Sequence, residues 1–174
     1  MSPGTTGRPG VDLLLKALDQ AYDRTSWHGP VLRGTLRGVS AGQAAWRPAP
    51  ARHNVWELAV HAAYWKYSVV RRLCRRRSED ARFPLAGSNW FPRPIGEPGQ
   101  TGEPDERAWK ADLQVLADMH RSLRAEVARL TDADLAEVPA GSRTAIGNLV
   151  LGVAYHDVYH AGQIQLLKRL WPNG

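Results

Sequence analysis

The chain has 174 residues, 43% of them hydrophobic, which fits one domain with a substantial core. Its formal net charge of +6 permits contact with nucleic acids or anionic surfaces without arguing for it. A single cysteine, Cys74, excludes an intrachain disulfide framework and favours a reducing compartment. We see no apolar signal-peptide core and no apolar run long enough to span a bilayer, so we expect a cytoplasmic protein without a membrane partner.

The N-terminal part of the chain predicts a tail followed by a long first helix. Residues 1–10 are rich in glycine, proline and threonine and are predicted to be disordered, with a single domain over 11–172. Apolar residues then recur at steps of three and four over Val11–Val39, which indicates an amphipathic helix. The Gly29-Pro30 dipeptide within this range predicts a kink, and the register places His28 on the inner face there.

The second helix begins with a capping sequence. Asn54 is the predicted N-cap, and Glu57 follows three residues later. The inner face of this helix carries His61 among apolar residues. The helix ends in an arginine cluster over Arg71–Arg77, where cations favour the helix dipole. This cluster is typical of a solvated helix end, and because no interleaved aromatic surface or reader motif accompanies it, we do not expect a nucleic-acid partner.

A long connection separates the second helix from the third. Residues 78–103 contain many prolines and glycines, and the connection exceeds the roughly 2–8 residues usual between bundle helices. A connection of that length either crosses the end of the bundle or covers a site. Trp90 and Phe91 within it are candidates to anchor it against the helices, and Trp90 is also a candidate wall of a pocket.

Two further helices complete the predicted fold. The third opens at Pro104 and carries His120 on its inner face, where a core role is the simplest interpretation. The fourth begins near Thr144 and stops before Pro172. Four amphipathic helices and one long connection predict an all-α four-helix bundle, with a crossover between helices 2 and 3 that makes them run in the same direction.

A pair of histidines in the fourth helix is the main functional signal. His156 and His160 lie one turn apart on an otherwise apolar face, and Gln163 follows on the same face. Buried imidazoles need partners, and a rise of about 1.5 Å per residue places His61 and His28 near the same end of the bundle interior. Three neutral imidazoles suit Zn, Ni or Fe, with Mn possible, and leave at least one position for water or substrate.

The spacing of these residues excludes two mechanisms. The segment His156-Asp157-Val158-Tyr159-His160 lacks the glutamate of the HExxH motif, so it cannot supply the general base of a zincin protease. It also does not match the triad of two histidines and one carboxylate. The alternative to a metal site is a set of buried histidines hydrogen-bonded to one another, to backbone or to water. His28 and Gln163 are candidates to contact substrate or orient a ligand, but no catalytic residue is assigned.

Three stretches resemble one known family. They are His61-Ala62-Ala63-Tyr64-Trp65, the C-terminal Tyr155–Ile164 segment, and the Ser26–Pro30 segment, which is similar to one subgroup. Together they resemble the DinB/YfiT-like superfamily, and the likeness extends over Val11–Leu170. The resemblance implies a four-helix bundle in which three histidines bind a divalent metal. Carried over residue by residue, the ligands are His61, His156 and His160.

The resemblance also implies a range of functions. Characterised relatives include transferases and isomerases that use low-molecular-weight thiols, and in them the metal is thought to activate the thiol. We therefore expect a metal-dependent enzyme, either a thiol-dependent S-transferase or a hydrolase that activates water, acting on a small molecule. Homodimers are common in the family, and its name does not imply DNA binding. The alternatives are a non-catalytic metal- or small-ligand-binding stress-response protein and a basic protein that contacts nucleic acid through Arg71–Arg77.

Overall fold

The computed structural model describes residues 7–74, 82–95 and 102–172. These residues form helices and connections and contain no β-strand, so the predicted all-α class is confirmed. None of the helices in these ranges is both long enough and apolar enough to cross a membrane. The helices, in chain order, are α1 (Pro9–Tyr22), α2 (Leu32–Thr35), α3 (Ala41–Ala45), α4 (Val55–Leu73), α5 (Glu106–Val127) and α6 (Ile146–Leu170), with a 3-10 turn at Asp134–Ala136.

The four longest helices pack side by side. α4 packs against both α5 and α6, and α1 packs against both α6 and α5. Near the beginnings of α4 and α5, the Trp56 and Trp109 rings lie 5.3 Å apart between centroids. Trp56 Nε1 also donates a hydrogen bond of 2.7 Å to the Asp112 carboxylate. These contacts hold the first turns of α4 beside the first turns of α5.

Two apolar clusters form the core, and the polar residues of interest lie where the clusters meet. On α4, Ala63 belongs to the first cluster and Val69 to the second. On α6, Ala161 belongs to the first and Ala154 to the second. Between these positions α4 carries Lys66, with His61 two residues before Ala63, and α6 carries His156, Asp157 and His160. Apolar burial above and below therefore holds these polar groups at a fixed depth.

The predicted first helix is wrong beyond Tyr22. α1 ends there, and the chain is non-helical until α2, which is a single turn. Gly29 adopts a φ of +101°, outside the helical region, and Pro30 has no N–H to continue a helical ladder. The apolar spacing of the later residues instead reflects the packing of α2 and α3. His28 therefore lies on an exposed connection and not on the inner face of a kinked helix.

The first helix begins two residues before Val11, where its apolar pattern starts. α1 begins at Pro9, and the N–H groups of Gly10 and Val11 donate to the carboxylate of Asp132, each at 2.9 Å. Residues 1–6 of the predicted tail lie outside the described residues. Since the first N–H groups of a helix have no partner within it, Asp132 serves as the missing acceptor.

The capping predictions are confirmed at α4 and shifted at the later helices. The Asn54 side chain accepts a hydrogen bond of 2.8 Å from the Glu57 N–H, as the capping sequence predicts. The third long helix takes Asp105 as its N-cap, and the fourth takes Ala145. The third helix therefore begins at Glu106, two residues after the predicted Pro104, and the N-cap of the fourth falls one residue after the predicted Thr144.

The described part of the long connection is attached to α4 and α5. Phe91 is 2% exposed, and Arg93, itself 6% exposed, donates from Nε to the Asp112 carboxylate at 2.6 Å. The Arg93 carbonyl accepts a hydrogen bond of 2.8 Å from the Asn54 side chain. These bonds hold residues 82–95 across the start of α4. Arg75, Arg76 and Arg77 of the predicted arginine cluster lie outside the described residues, as do parts of the predicted 78–103 connection.

Candidate metal centre

Three histidine side chains from two helices converge at the junction of the core clusters. Nε2 of His156 lies 3.1 Å from Nε2 of His61 and 2.9 Å from Nε2 of His160. His61 is 5% exposed and His160 is 3% exposed. One nitrogen from each ring falls within 4.8 Å of the others, which is a spacing that could hold a metal ion.

Hydrogen bonds fix the orientation of two of the rings. Nδ1 of His61 donates to the carbonyl oxygen of Asn89 at 2.7 Å, because a carbonyl can only accept. Nδ1 of His160 lies 2.6 Å from Oε1 of Gln163, whose Nε2 donates to the Tyr159 hydroxyl at 3.0 Å. With Nδ1 protonated in both rings, each Nε2 presents a lone pair toward His156.

The contacts among the three Nε2 atoms fit a bound cation. A neutral His156 carries one ring proton, so it can satisfy at most one of its two Nε2 contacts. At least one of these two close Nε2 contacts is therefore left without a proton between the nitrogens, and a positive ion bound by the three nitrogens would stabilise the arrangement. Nδ1 of His156 is buried and has no hydrogen-bond partner among the described residues. The donor set, three neutral imidazole nitrogens, suits first-row divalent metals.

The protein environment keeps the three rings neutral. Burial is the main cause that lowers the pKa of His156 to about 3, and the neighbouring His160 and His61 contribute to the same shift. Burial also lowers the pKa of His160 to about 4 and lowers the pKa of His61. A histidine must be neutral to ligate a metal, so all three are in the ligating form at neutral pH.

A stack of three rings holds His61 from the side of the long connection. The Trp90 ring lies parallel to His61 with centroids 3.8 Å apart, and His53 lies against Trp90 at 3.6 Å. Nδ1 of His53 lies 3.0 Å from the Glu57 carboxylate, which fixes the outer ring. The connection that carries Trp90 therefore contributes both a stacking surface and, through Asn89, the hydrogen-bond acceptor for His61.

Comparison with known families decides the assignment. The sequence model of the DinB superfamily matches residues 11–164, a range that contains all three histidines. The chain belongs to the DinB superfamily. Comparisons with curated proteins and with solved structures found no match. DinB-like proteins are metal-binding, and the cluster of His61, His156 and His160 fits a metal-binding member.

Of the other candidate residues in this DinB-like protein, Gln163 lies at the histidine cluster, whereas His28 and His120 do not. Gln163 is part of the centre, because it accepts the hydrogen bond from His160. His28 is exposed, and it contributes to none of the contacts described for the three histidines. His120 is 4% exposed and stacks on Tyr22 with centroids 3.8 Å apart, away from the histidine cluster. The core role predicted for His120 agrees with this packing.

Two residues that support His61 in the DinB-like centre, Asn89 directly and His53 through Trp90, have no clear signal in the sequence. His53 precedes the α4 cap and Asn89 lies in the long connection, so neither belongs to an apolar helical face. Asn89 has a φ of +62°, a conformation that asparagine tolerates better than most residues. The sequence signal for Asn89 is limited to its position beside Trp90 in a proline-rich connection, and His53 has none.

A cavity of about 500 Å³ opens directly beside the histidines. It lies between α4 and α6, and His61 and His156 form one end of its lining. Apolar side chains form most of the wall, among them Trp65 and Leu149, with Arg72 near the other end. Its volume lies within the range of small-molecule sites, roughly 300–1,000 Å³. The candidate centre is therefore adjacent to space for a ligand.

Proposed function

We propose that this DinB superfamily protein is a divalent-metal-dependent enzyme in which His61, His156 and His160 hold the ion. The observation that carries the proposal is the convergence of three Nε2 atoms. That of His156 lies 2.9 Å from that of His160 and 3.1 Å from that of His61. Three nitrogen ligands favour Zn, Ni or Fe, with Mn also possible. When bound, the ion would supply a positive charge that lowers the pKa of a thiol or water beside it.

The chain's own residues position and restrict the centre. Asn89 and Gln163 accept the Nδ1 protons of His61 and His160, which directs both Nε2 lone pairs inward. Asp157 lies between the two α6 histidines in sequence, but its carboxylate is buried against Lys66. This placement leaves an all-imidazole donor set and agrees with the absence of a protease-type general base.

We propose thiol-dependent S-transfer as the reaction. A low-molecular-weight thiol would lose its proton to solvent, and its sulfur would form a bond to an electrophilic carbon of a small molecule as the bond from that carbon to the leaving group breaks and the leaving group departs with the electron pair. The support is the family membership and the cavity beside His61 and His156. In the hydrolase alternative, water takes the place of the thiol. In the non-catalytic alternative, the same centre binds a metal or small ligand without turnover.

We propose that α1, α4, α5 and α6 form the four-helix bundle of the family, with the connection between α4 and α5 as its crossover. The pairwise packing of these helices supports a bundle. The contact between Trp56 and Trp109, near the first turns of α4 and α5, supports helices that run in the same direction. A cytoplasmic location and the absence of a nucleic-acid partner stay predictions.

We propose a homodimer formed through α6. Large exposed side chains follow one face of this helix at Tyr155, Tyr159 and Leu166, with Gly152 before them and Gly162 between Tyr159 and Leu166. In an antiparallel pair with a two-fold axis near Tyr159, Leu166 meets Gly152 and Tyr155 meets Gly162. Leu166 and Tyr155 then each oppose a glycine on the other copy, Tyr159 meets its own counterpart at the axis, and the same contacts occur twice, as a two-fold interface requires.

The oligomeric state tests this interface. We expect a dimer by size-exclusion chromatography with light scattering, and a monomer for Leu166→Arg. Leu13→Arg, a matched change at another exposed leucine on α1, should remain dimeric. A monomeric wild-type protein, or equal effects of the two variants, would contradict the proposal.

Metal analysis followed by a turnover screen tests the function. We expect about one divalent ion per chain in the purified protein, and its loss in His160→Ala and His156→Ala but not in the exposed control His28→Ala. Electrophile turnover with added low-molecular-weight thiols should stop on chelation and return with metal. Stoichiometric metal of unchanged affinity in His160→Ala would show that the ligand assignment is wrong. Metal binding without turnover of any electrophile would favour the non-catalytic alternative.

A further inference from the structure

The lining of the cavity beside the histidines changes along its length: imidazoles lie at one end, apolar side chains in the middle and Arg72 at the other end. We propose that it binds a small molecule with an apolar body and an anionic end, with the anion held by Arg72. The proposal rests on the proposed function only for the reactive end, which would lie at His61 and His156. The substrate class is then an apolar organic anion.

Two helix faces shape the cavity into an elongated slot. On α4, His61, Trp65, Val69 and Arg72 follow one another at steps of four, four and three residues, so they share one face. On α6, Leu149, Val153 and His156 do the same at steps of four and three. Eleven residues separate His61 from Arg72, which corresponds to about 16 Å along the helix. The slot therefore accepts an extended body more readily than a compact polar one.

The middle of the slot offers few hydrogen bonds to a ligand. Trp65, Val69, Leu149 and Val153 line it with hydrocarbon and ring surface. The Trp65 N–H already donates to the Asn89 side chain at 3.1 Å, so it is committed within the protein. A ligand body with polar groups here would lose hydrogen bonds to water without replacement. An apolar body, by contrast, gains from the removal of its surface from water.

The far end of the slot carries a positive charge. Arg72 lines the cavity, and no aspartate or glutamate lines it among the described residues. The described part of the chain also places no carboxylate within ion-pair distance of Arg72. Asn148 lies in the same lining and offers an amide donor. A guanidinium beside an amide suits the planar oxygen pair of a carboxylate, which it can bind in bidentate fashion.

A matched pair of probes tests the anionic end. We would measure binding of 2-naphthoate and uncharged 2-naphthamide to metal-free full-length protein by quenching of tryptophan fluorescence and by calorimetry. The acid should bind about tenfold or more tightly than the amide, because a charged hydrogen bond replaces a neutral one. In Arg72→Gln this preference should disappear. Arg71→Gln is the matched control, since Arg71 lies over the Tyr67 ring and outside the cavity lining, and it should keep the preference.

A second pair of measurements tests the slot itself and separates the proposal from the metal function. Leu149→Trp, at a half-buried position of the wall, should weaken binding of both probes by about tenfold or more while circular dichroism shows a folded helical protein. Equal affinity for the two probes, loss of preference in Arg71→Gln, or unchanged binding in folded Leu149→Trp would each overturn the proposal. Zinc titration of the wild type and of Arg72→Gln reports on the histidines alone. If neither protein bound zinc, the proposed metal function would be overturned, while the probe measurements would still decide the proposed binding slot.

Discussion

Lys66 on α4 donates a hydrogen bond to Asp157 on α6, and both side chains of this ion pair are completely buried. Asp157 is the neighbour of His156, and Lys66 lies five residues after His61, so the pair joins the two helices that carry the histidines. Burial lowers the pKa of Lys66 and raises the pKa of Asp157, while the attraction between the two charges opposes both shifts. The second carboxylate oxygen of Asp157 has no partner among the described residues.

Removing one member of this pair should destabilise the protein more than removing both. Lys66→Met leaves a buried carboxylate without its cation, and such changes cost about 3–5 kcal/mol. The double variant Lys66→Met/Asp157→Leu replaces the pair with apolar groups of similar volume, which is often nearly neutral. Urea unfolding of the metal-free protein at pH 7 gives both free energies. If the single and double variants were equally unstable, the buried charge would not be the cause.

Gln163 should control how well His160 binds a metal. In Gln163→Leu the Nδ1 proton of His160 loses its acceptor, and loss of such a partner typically weakens metal binding by about 10–100-fold. Gln163→Glu keeps an acceptor oxygen and should retain most of the affinity. Competition with a coloured zinc chelator measures the change. As a control, Tyr159→Phe removes only the outer bond to Gln163 Nε2 and should have the smaller effect; a larger effect than Gln163→Leu would refute the anchoring role.

The sequence predicted those features that depend on neighbours along the chain. The Asn54 cap and the shared face of His156 and His160 follow from spacing alone, and both agree with the structure. The first helix was predicted too long because apolar spacing continued across Gly29-Pro30, where the backbone leaves the helix. The partnership of Lys66 with Asp157 could not be predicted, because it joins residues 91 positions apart.

The backbone of Asn89, more than its side chain, should matter for His61. The acceptor for His61 Nδ1 is the Asn89 carbonyl, which is held in place by a φ of +62°. Asn89→Gly allows this conformation and should retain most of the zinc affinity. Asn89→Val removes the same side chain but disfavours the conformation by about 1–3 kcal/mol, so both thermal stability and zinc affinity should fall. Both variants remove the side-chain oxygen that accepts the hydrogen bond from Trp65, so a difference between them reports on the backbone conformation alone. Equal zinc affinity in the two variants would argue against the carbonyl as the anchor.

His120 should make the metal-free protein sensitive to acid. Burial, with a smaller contribution from the charge of Lys66, lowers its pKa from the ordinary 6.5 to about 3, and its Nδ1 has no partner among the described residues. Well above pH 6.5 the ring is neutral in both folded and unfolded chains, so its titration does not change the free energy of unfolding. As pH falls from 6.5 toward 3, only the unfolded chain takes up the proton, and stability is lost at a rate approaching about 1.4 kcal/mol per pH unit for one such group. His120→Phe keeps a ring against Tyr22 and removes the titration, so we expect a shallower loss of stability between pH 7 and 4 than in the wild type. Urea unfolding at several pH values measures both slopes, and identical slopes would exclude His120 as a source of the acid sensitivity.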